Sequence, residues 1–134
     1  MERIRESLTK LPAGIFTIIT LVAILWLTLS PKPLGEQPPA LFPGADKIAH
    51  GIMFGGFVAM MLLDWQRKHD WRNVALIFAV MCASGASLLG ILIEFAQAAM
   101  HLGRGFEYAD MIADTAGAFA VAFLWLMLQK NWIN

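Results

Sequence analysis

Nine polar residues interrupt or border the apolar runs of this sequence: Asp46, Lys47, His50, Glu94, Gln97, Arg104, Glu107, Asp110 and Asp114. Carboxylates, an imidazole and two cations are groups that grip a charged headgroup, ligate a hard cation or carry a proton. A carboxylate within a bilayer costs about 2.5–3.5 kcal/mol on insertion scales, so such side chains should face other helices or a wet cavity. Their spacing gives them faces. Ala83, Ser87, Gly90, Glu94, Gln97 and His101 recur at steps of three and four, as do Glu107, Asp110, Asp114 and Gly117. Asp46 and Lys47 stand four and three residues before His50, beside Gly51 and Gly55, a small-xxx-small pair that lets helices approach closely.

The elements that position these residues are apolar helices. The chain has 134 residues, 58% of them apolar and 15% charged, with mean hydropathy +0.62. A soluble domain has about 25% charged residues, so lipid is the expected solvent. The net charge is zero, which gives no bulk electrostatic case for nucleic acid. Four apolar stretches, Ala13 to Leu29, Ile48 to Leu63, Val74 to Ile93 (continuing to Met100) and Met111 to Leu128, are candidate spans. The second needs Asp46 or Lys47 at its outer edge to reach span length. No stretch alternates with period two, and backbone in lipid must bond internally, which leaves helices. The expectation is an all-α fold: one domain over residues 1–134, a four-transmembrane-helix bundle.

Orientation follows from Lys and Arg. Arg3, Arg5, Lys10, Arg67, Lys68, Arg72 and Lys130 fall on one side, and Lys32, Lys47 and Arg104 on the other. That asymmetry predicts cytoplasmic termini, with Trp65, Trp71 and Trp132 at the inner interface and Trp26 near the outer one. The nine polar residues then gather at the extracytoplasmic level, with Asp114 about 6 Å below Asp110. The first stretch contributes no ionisable residue there. Its apolar run is long for a signal peptide, and Leu29-Ser30-Pro31-Lys32 gives no small-x-small cleavage pattern, so it reads as a retained helix.

The simplest structural roles are plain. Asp46 reads as the N-cap of the second span and Asp70 as that of the third. Glu107 and Asp110 suit the positive end of the fourth. Lys47 can snorkel to the interface, Arg104 can pair with Glu107 or Glu94, and Glu94 can belong to a buried ion pair. His101 reads as interfacial, His69 as facing the cytoplasm, and Cys82 as a small packing residue. Pro31, Pro33, Pro38, Pro39 and Pro43 exclude a regular helix between the first two spans.

Leu29-Ser30-Pro31, Asp46-Lys47-Ile48-Ala49-His50-Gly51, Glu94-Phe95-Ala96-Gln97, and Arg104, Glu107, Asp110, Asp114 and Gly117 in order form an ordered set. It resembles the VanZ-like family, whose namesake is linked to low-level resistance to the glycopeptide teicoplanin. The resemblance runs from about Leu29 to Leu128 and implies a multi-pass protein of the cytoplasmic (inner) membrane with four transmembrane helices. Relatives often carry Asn at the position of Asp114.

Two functional classes remain open. In the first, the nine residues form an outer-leaflet polar pocket for an envelope amphiphile: a lipid headgroup, a lipid-linked precursor or a glycopeptide antibiotic. The mixture of charges suits a zwitterionic or phosphorylated headgroup, and binding of this kind could contribute to antibiotic resistance. In the second, the protein is a membrane-embedded enzyme acting on a phosphorylated lipid or envelope precursor. His50 would then be base or nucleophile, and Glu94, Gln97, His50, Glu107 and Asp110 would ligate a divalent cation while Lys47 and Arg104 hold phosphate. His50 and Glu94 are the candidate catalytic residues. No phosphate-cradling glycine loop, Ser/His/Asp spacing or Cys/His metal spacing selects a reaction, a cofactor or an oligomeric state.

Overall fold

The structure, a computed structural model, describes residues 1–30, 44–100 and 107–133, with side chains described as far as Lys130. The described residues form five helices: α1 (Glu2–Lys10), α2 (Ile15–Leu29), α3 (Ala45–Lys68), α4 (Leu76–Ala99) and α5 (Tyr108–Ile133). No strand occurs among them. Three helices, α3, α4 and α5 as far as Lys130, are long and apolar enough to cross a membrane. The pair α1 and α2, bent by 70° at their junction, gives a fourth candidate if taken as one span. Each apolar stretch of the sequence is thus a helix, with α3 extending to Lys68, past the run that ends at Leu63. The proline-rich segment and residues 101–106, with His101 and Arg104, lie outside the described residues.

Small residues let the bundle close. The backbones of α3 and α5 cross at Gly51, Gly55 and Gly117. A Cβ on Gly117 would lie 2.7 Å from the Cα of Gly51, and one on Gly55 would lie 3.1 Å from the Gly117 carbonyl oxygen. The Gly51/Gly55 pair therefore serves the approach of α5, as its spacing promised for some neighbour. Below the crossing the core is apolar. Phe54, Val58 and Leu62 of α3 are buried against Ala83 and Ala86 of α4, Ala118 and Ala122 of α5, and Ile24 of α2.

At the far end of α3 a second polar centre fixes the bend between α1 and α2. Arg67 is fully buried. Its Nη2 lies 2.6 Å from Asp64 Oδ1, and its guanidinium also donates to the carbonyls of Leu8 (3.0 Å), Leu11 (2.9 Å) and Pro12. Asp64 Oδ2 accepts from the backbone N–H and the hydroxyl of Thr17, each at 2.7 Å. These bonds satisfy carbonyls freed where α1 ends and an amide freed where α2 begins. Arg67, counted as a loop cation in the sequence, is the anchor of this turn, and Asp64 went unremarked there.

The expected cap at Asp70 is not made. α4 begins after Ala75 with no side-chain cap, and Asp70 sits in the turn with φ +54°. The backbone of Val74 instead bonds with the buried amide of Gln129 on α5, at 2.7 and 3.1 Å.

Candidate functional site

At the opposite end of the bundle, α3, α4 and α5 bring together most of the residues singled out by spacing. Gly44, in the left-handed region at φ +84°, turns the chain into α3 and is its N-cap. This corrects the reading of Asp46 as the cap. A glycine enters that conformation without a Cβ clash, leaving Asp46 in the first turn with its carboxylate 2.9 Å from Lys47 Nζ. The ammonium of Lys47 is also bonded to Glu107 and, at 2.5 Å, to Asp110 Oδ1. It is therefore enclosed by three carboxylates, one from its own helix and two from the start of α5.

One turn deeper, His50 Nδ1 lies 2.9 Å from Asp114 Oδ1, while its Nε2 faces Asp110 Oδ2 at 3.8 Å. Asp114 is 1% exposed, because its carboxylate fits against Gly90 of α4. On α4, Glu94 is equally buried and accepts the backbone N–H of Glu107 at 3.1 Å, which ties the end of α4 to the start of α5. Gln97 is buried and donates to the carbonyl of Thr28 on α2 at 2.6 Å. So α2 contributes a backbone acceptor here, though no ionisable group.

The result is a graded chain of polar groups. The side chains of Asp46 and Glu107 are more than half exposed, Lys47 is 29% exposed, Asp110 and His50 are nearly buried, and Asp114 is fully so. Among the described residues, no buried side-chain nitrogen or oxygen lacks a partner. Among the described residues, five carboxylates lie at this end of the bundle with one ammonium and one imidazole.

This geometry separates the ligand set expected from sequence. Gln97 is committed to α2 and Glu94 to the Glu107 amide, so they do not join His50, Glu107 and Asp110 around one point. Oxygens of Asp46, Glu107 and Asp110 do lie within 4.8 Å of one another, a spacing suited to a hard cation. Lys47 Nζ is bonded to all three of these carboxylates. A divalent ion would have to displace that ammonium, and Lys47 as it stands is not turned toward a phosphate.

The VanZ/LLP1 family model matches residues 6–129. The chain belongs to the VanZ/LLP1 family. No curated protein and no solved structure matches it. It is thus a helical membrane protein of this family, and several of the residues on which the resemblance rests meet in space. Lys47, His50, Glu94, Glu107, Asp110 and Asp114 form the polar chain, and Gly51 and Gly117 form the helix crossing beneath it. Sequence reading missed two contributors to this VanZ/LLP1 centre, the Thr28 carbonyl and the niche at Gly90. Gly90 stood on the Glu94 stripe, but nothing in its spacing showed that a carboxylate from α5 would fill the space.

Proposed function

We propose that this VanZ/LLP1 protein crosses the cytoplasmic membrane four times with both termini in the cytoplasm, and that it binds the headgroup of an envelope amphiphile at the extracytoplasmic ends of α3, α4 and α5. The observation that carries this reading is the graded acidic cluster, open at Asp46 and Glu107 and closed at Asp114. Exposed apolar side chains flank it, among them Ile48 and Ile52 on α3, Phe95 on α4 and Tyr108 and Ile112 on α5. They offer acyl chains a surface beside a polar headgroup site.

The carboxylates around Lys47 among the described residues favour the ammonium part of a ligand. Lys47 is already surrounded by carboxylates, so the group a ligand would supply is another cation competing for Asp46, Glu107 and Asp110. A zwitterionic headgroup, an amine-bearing lipid-linked precursor or a glycopeptide antibiotic meets that requirement if it carries an amine. Binding of a lipid-tailed glycopeptide at this depth would keep it from its target and contribute to resistance. Expression in a susceptible host tests the reading. Protection should be greater against glycopeptides with a lipid tail than against untailed ones, and alanine at His50, Glu94, Arg104 or Asp110 should abolish it at equal membrane abundance. Equal protection against both drugs would remove tail recognition, and protection that survives all four changes would leave the cluster as scaffold.

A further inference from the structure

Two cations of this fold are held in opposite ways. The guanidinium of Arg67 is fully buried and bonded to Asp64 and to three backbone carbonyls, which fixes it in the turn it anchors. Lys47 lies in the first turn of α3 with its side chain 29% exposed. Its partners are all side chains, those of Asp46, Glu107 and Asp110. A lysine head on its flexible stem can swing out to water and leave these carboxylates where they are.

The dimensions of the cradle select among cations. One oxygen each from Asp46, Glu107 and Asp110 lie within 4.8 Å of one another. Three points that close share a centre no more than about 2.8 Å from each, which is the length of a charge-assisted N–H···O bond. A primary ammonium has three N–H donors, one for each carboxylate. Lys47 Nζ shows the fit, bonding to Asp46 at 2.9 Å, to Asp110 at 2.5 Å and to Glu107. A quaternary ammonium has no N–H, and its methyl carbons stop about 3.3–3.6 Å from an oxygen, so its nitrogen cannot reach that centre.

We propose that Lys47 is the resident occupant of a primary-ammonium site, and that an amphiphile whose headgroup ends in a primary ammonium binds by displacing it. This rests on the reading that the cluster binds an envelope amphiphile, and it names the headgroup class: ethanolamine-like rather than choline-like. Lys47 is then an internal competitor, closing the cradle to cations that cannot match its three bonds. Ile48 and Tyr108, next in sequence to Lys47 and Glu107, are exposed and offer hydrocarbon contact to a ligand seated by its ammonium.

The test measures equilibrium binding to the full chain in an uncharged detergent. The probes are lysophosphatidylethanolamine and lysophosphatidylcholine with the same acyl chain, which differ only in N-methylation. The unaltered chain should bind the ethanolamine lipid about tenfold more tightly or better, the scale of one charge-assisted contact. Lys47→Met removes the competitor and should tighten binding of that lipid about tenfold further. Lys47→Arg, whose planar fork grips carboxylates in pairs, should bind it no more tightly than the unaltered chain. Lys130→Met, the loss of an exposed lysine near the other end of α5, should change neither affinity. Equal affinity of the unaltered chain for the two lipids would overturn the primary-ammonium site while leaving amphiphile binding intact. So would a Lys47→Met variant that binds the ethanolamine lipid no more tightly. Absence of saturable binding of both lipids would instead sink the underlying reading, and this proposal with it.

Discussion

The carboxylate of Asp114 occupies the space a side chain at position 90 would need: a Cβ on Gly90 would lie 2.6 Å from Asp114 Oδ2. The same carboxylate holds His50 through its other oxygen. Packing between α4 and α5 and the orientation of the imidazole are therefore one arrangement. Gly90→Ala should displace Asp114 and cost about 1–3 kcal/mol, the usual range for overpacking. Thermal melting of the purified protein measures it. Gly56→Ala is the comparison, because nothing lies within 4 Å of a Cβ there. It should melt no lower than the unaltered chain, and matching melting of the two variants would deny Asp114 its fitted place.

A larger effect is expected where backbone, rather than a side chain, blocks the new atom. Gly117→Ala would drive a methyl group against the carbonyl of Gly51. The crossing of α3 and α5 cannot yield by turning a rotamer, so the loss should reach or exceed the upper end of that range of about 1–3 kcal/mol. Melting indistinguishable from that of Gly90→Ala would mean that the crossing is looser than described.

The polar cluster was legible in the sequence because charge inside apolar runs is costly, and steps of three and four put those charges on single helix faces. The stripe through Ala83, Gly90, Glu94 and Gln97 is buried as that periodicity requires. The opposite centre was less legible for a physical reason. Asp64 and Arg67 follow the apolar run of α3 directly and adjoin Lys68, which is also what an ordinary cytoplasmic flank looks like. Only the fold shows that Arg67 turns inward to the carbonyls of Leu8, Leu11 and Pro12. Helix α1 was hidden in the same way. Its basic residues dominated the reading, although Ile4, Leu8 and Leu11 already stood at helical spacing. The two capping assignments failed because Gly44 and Ala75 start helices that Asp46 and Asp70 were expected to cap.

Arg67 should matter more to stability than any residue of its exposed basic surroundings. Arg67→Met leaves Asp64 buried without its cation, and breaking one side of such a pair costs about 3–5 kcal/mol. Restoring balance with Asp64→Leu in the same chain should recover part of that loss. Melting of the single and double variants gives the coupling. Limited proteolysis should also cut near Leu11 and Pro12 in Arg67→Met alone, since α1 is then untied. A single variant as stable and as resistant as the unaltered chain would contradict the anchor.

Orientation is open to a direct check in the Cys82→Ala background. A cysteine placed at Lys68 should resist an impermeant thiol reagent applied to intact cells, and one placed at Glu36 should react. Labelling at position 68 from outside would invert the topology and put the acidic cluster in the cytoplasm. The Lys and Arg asymmetry retains its direction after Arg67 is discounted as buried, because Arg3, Arg5, Lys10, Lys68, Arg72 and Lys130 stay on one side.

The central claim is that the chain from Glu107 to Asp114 binds an amine-bearing amphiphile, and equilibrium binding of lysophosphatidylethanolamine to the purified protein tests it most directly. Lysophosphatidylglycerol serves as the probe without an amine. The unaltered cluster should bind the amine-headed lipid saturably. Asp110→Asn should weaken that binding about tenfold or more, the scale of one charge-assisted contact, with melting unchanged in the absence of lipid. Binding of the two lipids with equal affinity, or binding that Asp110→Asn leaves intact, would contradict the account.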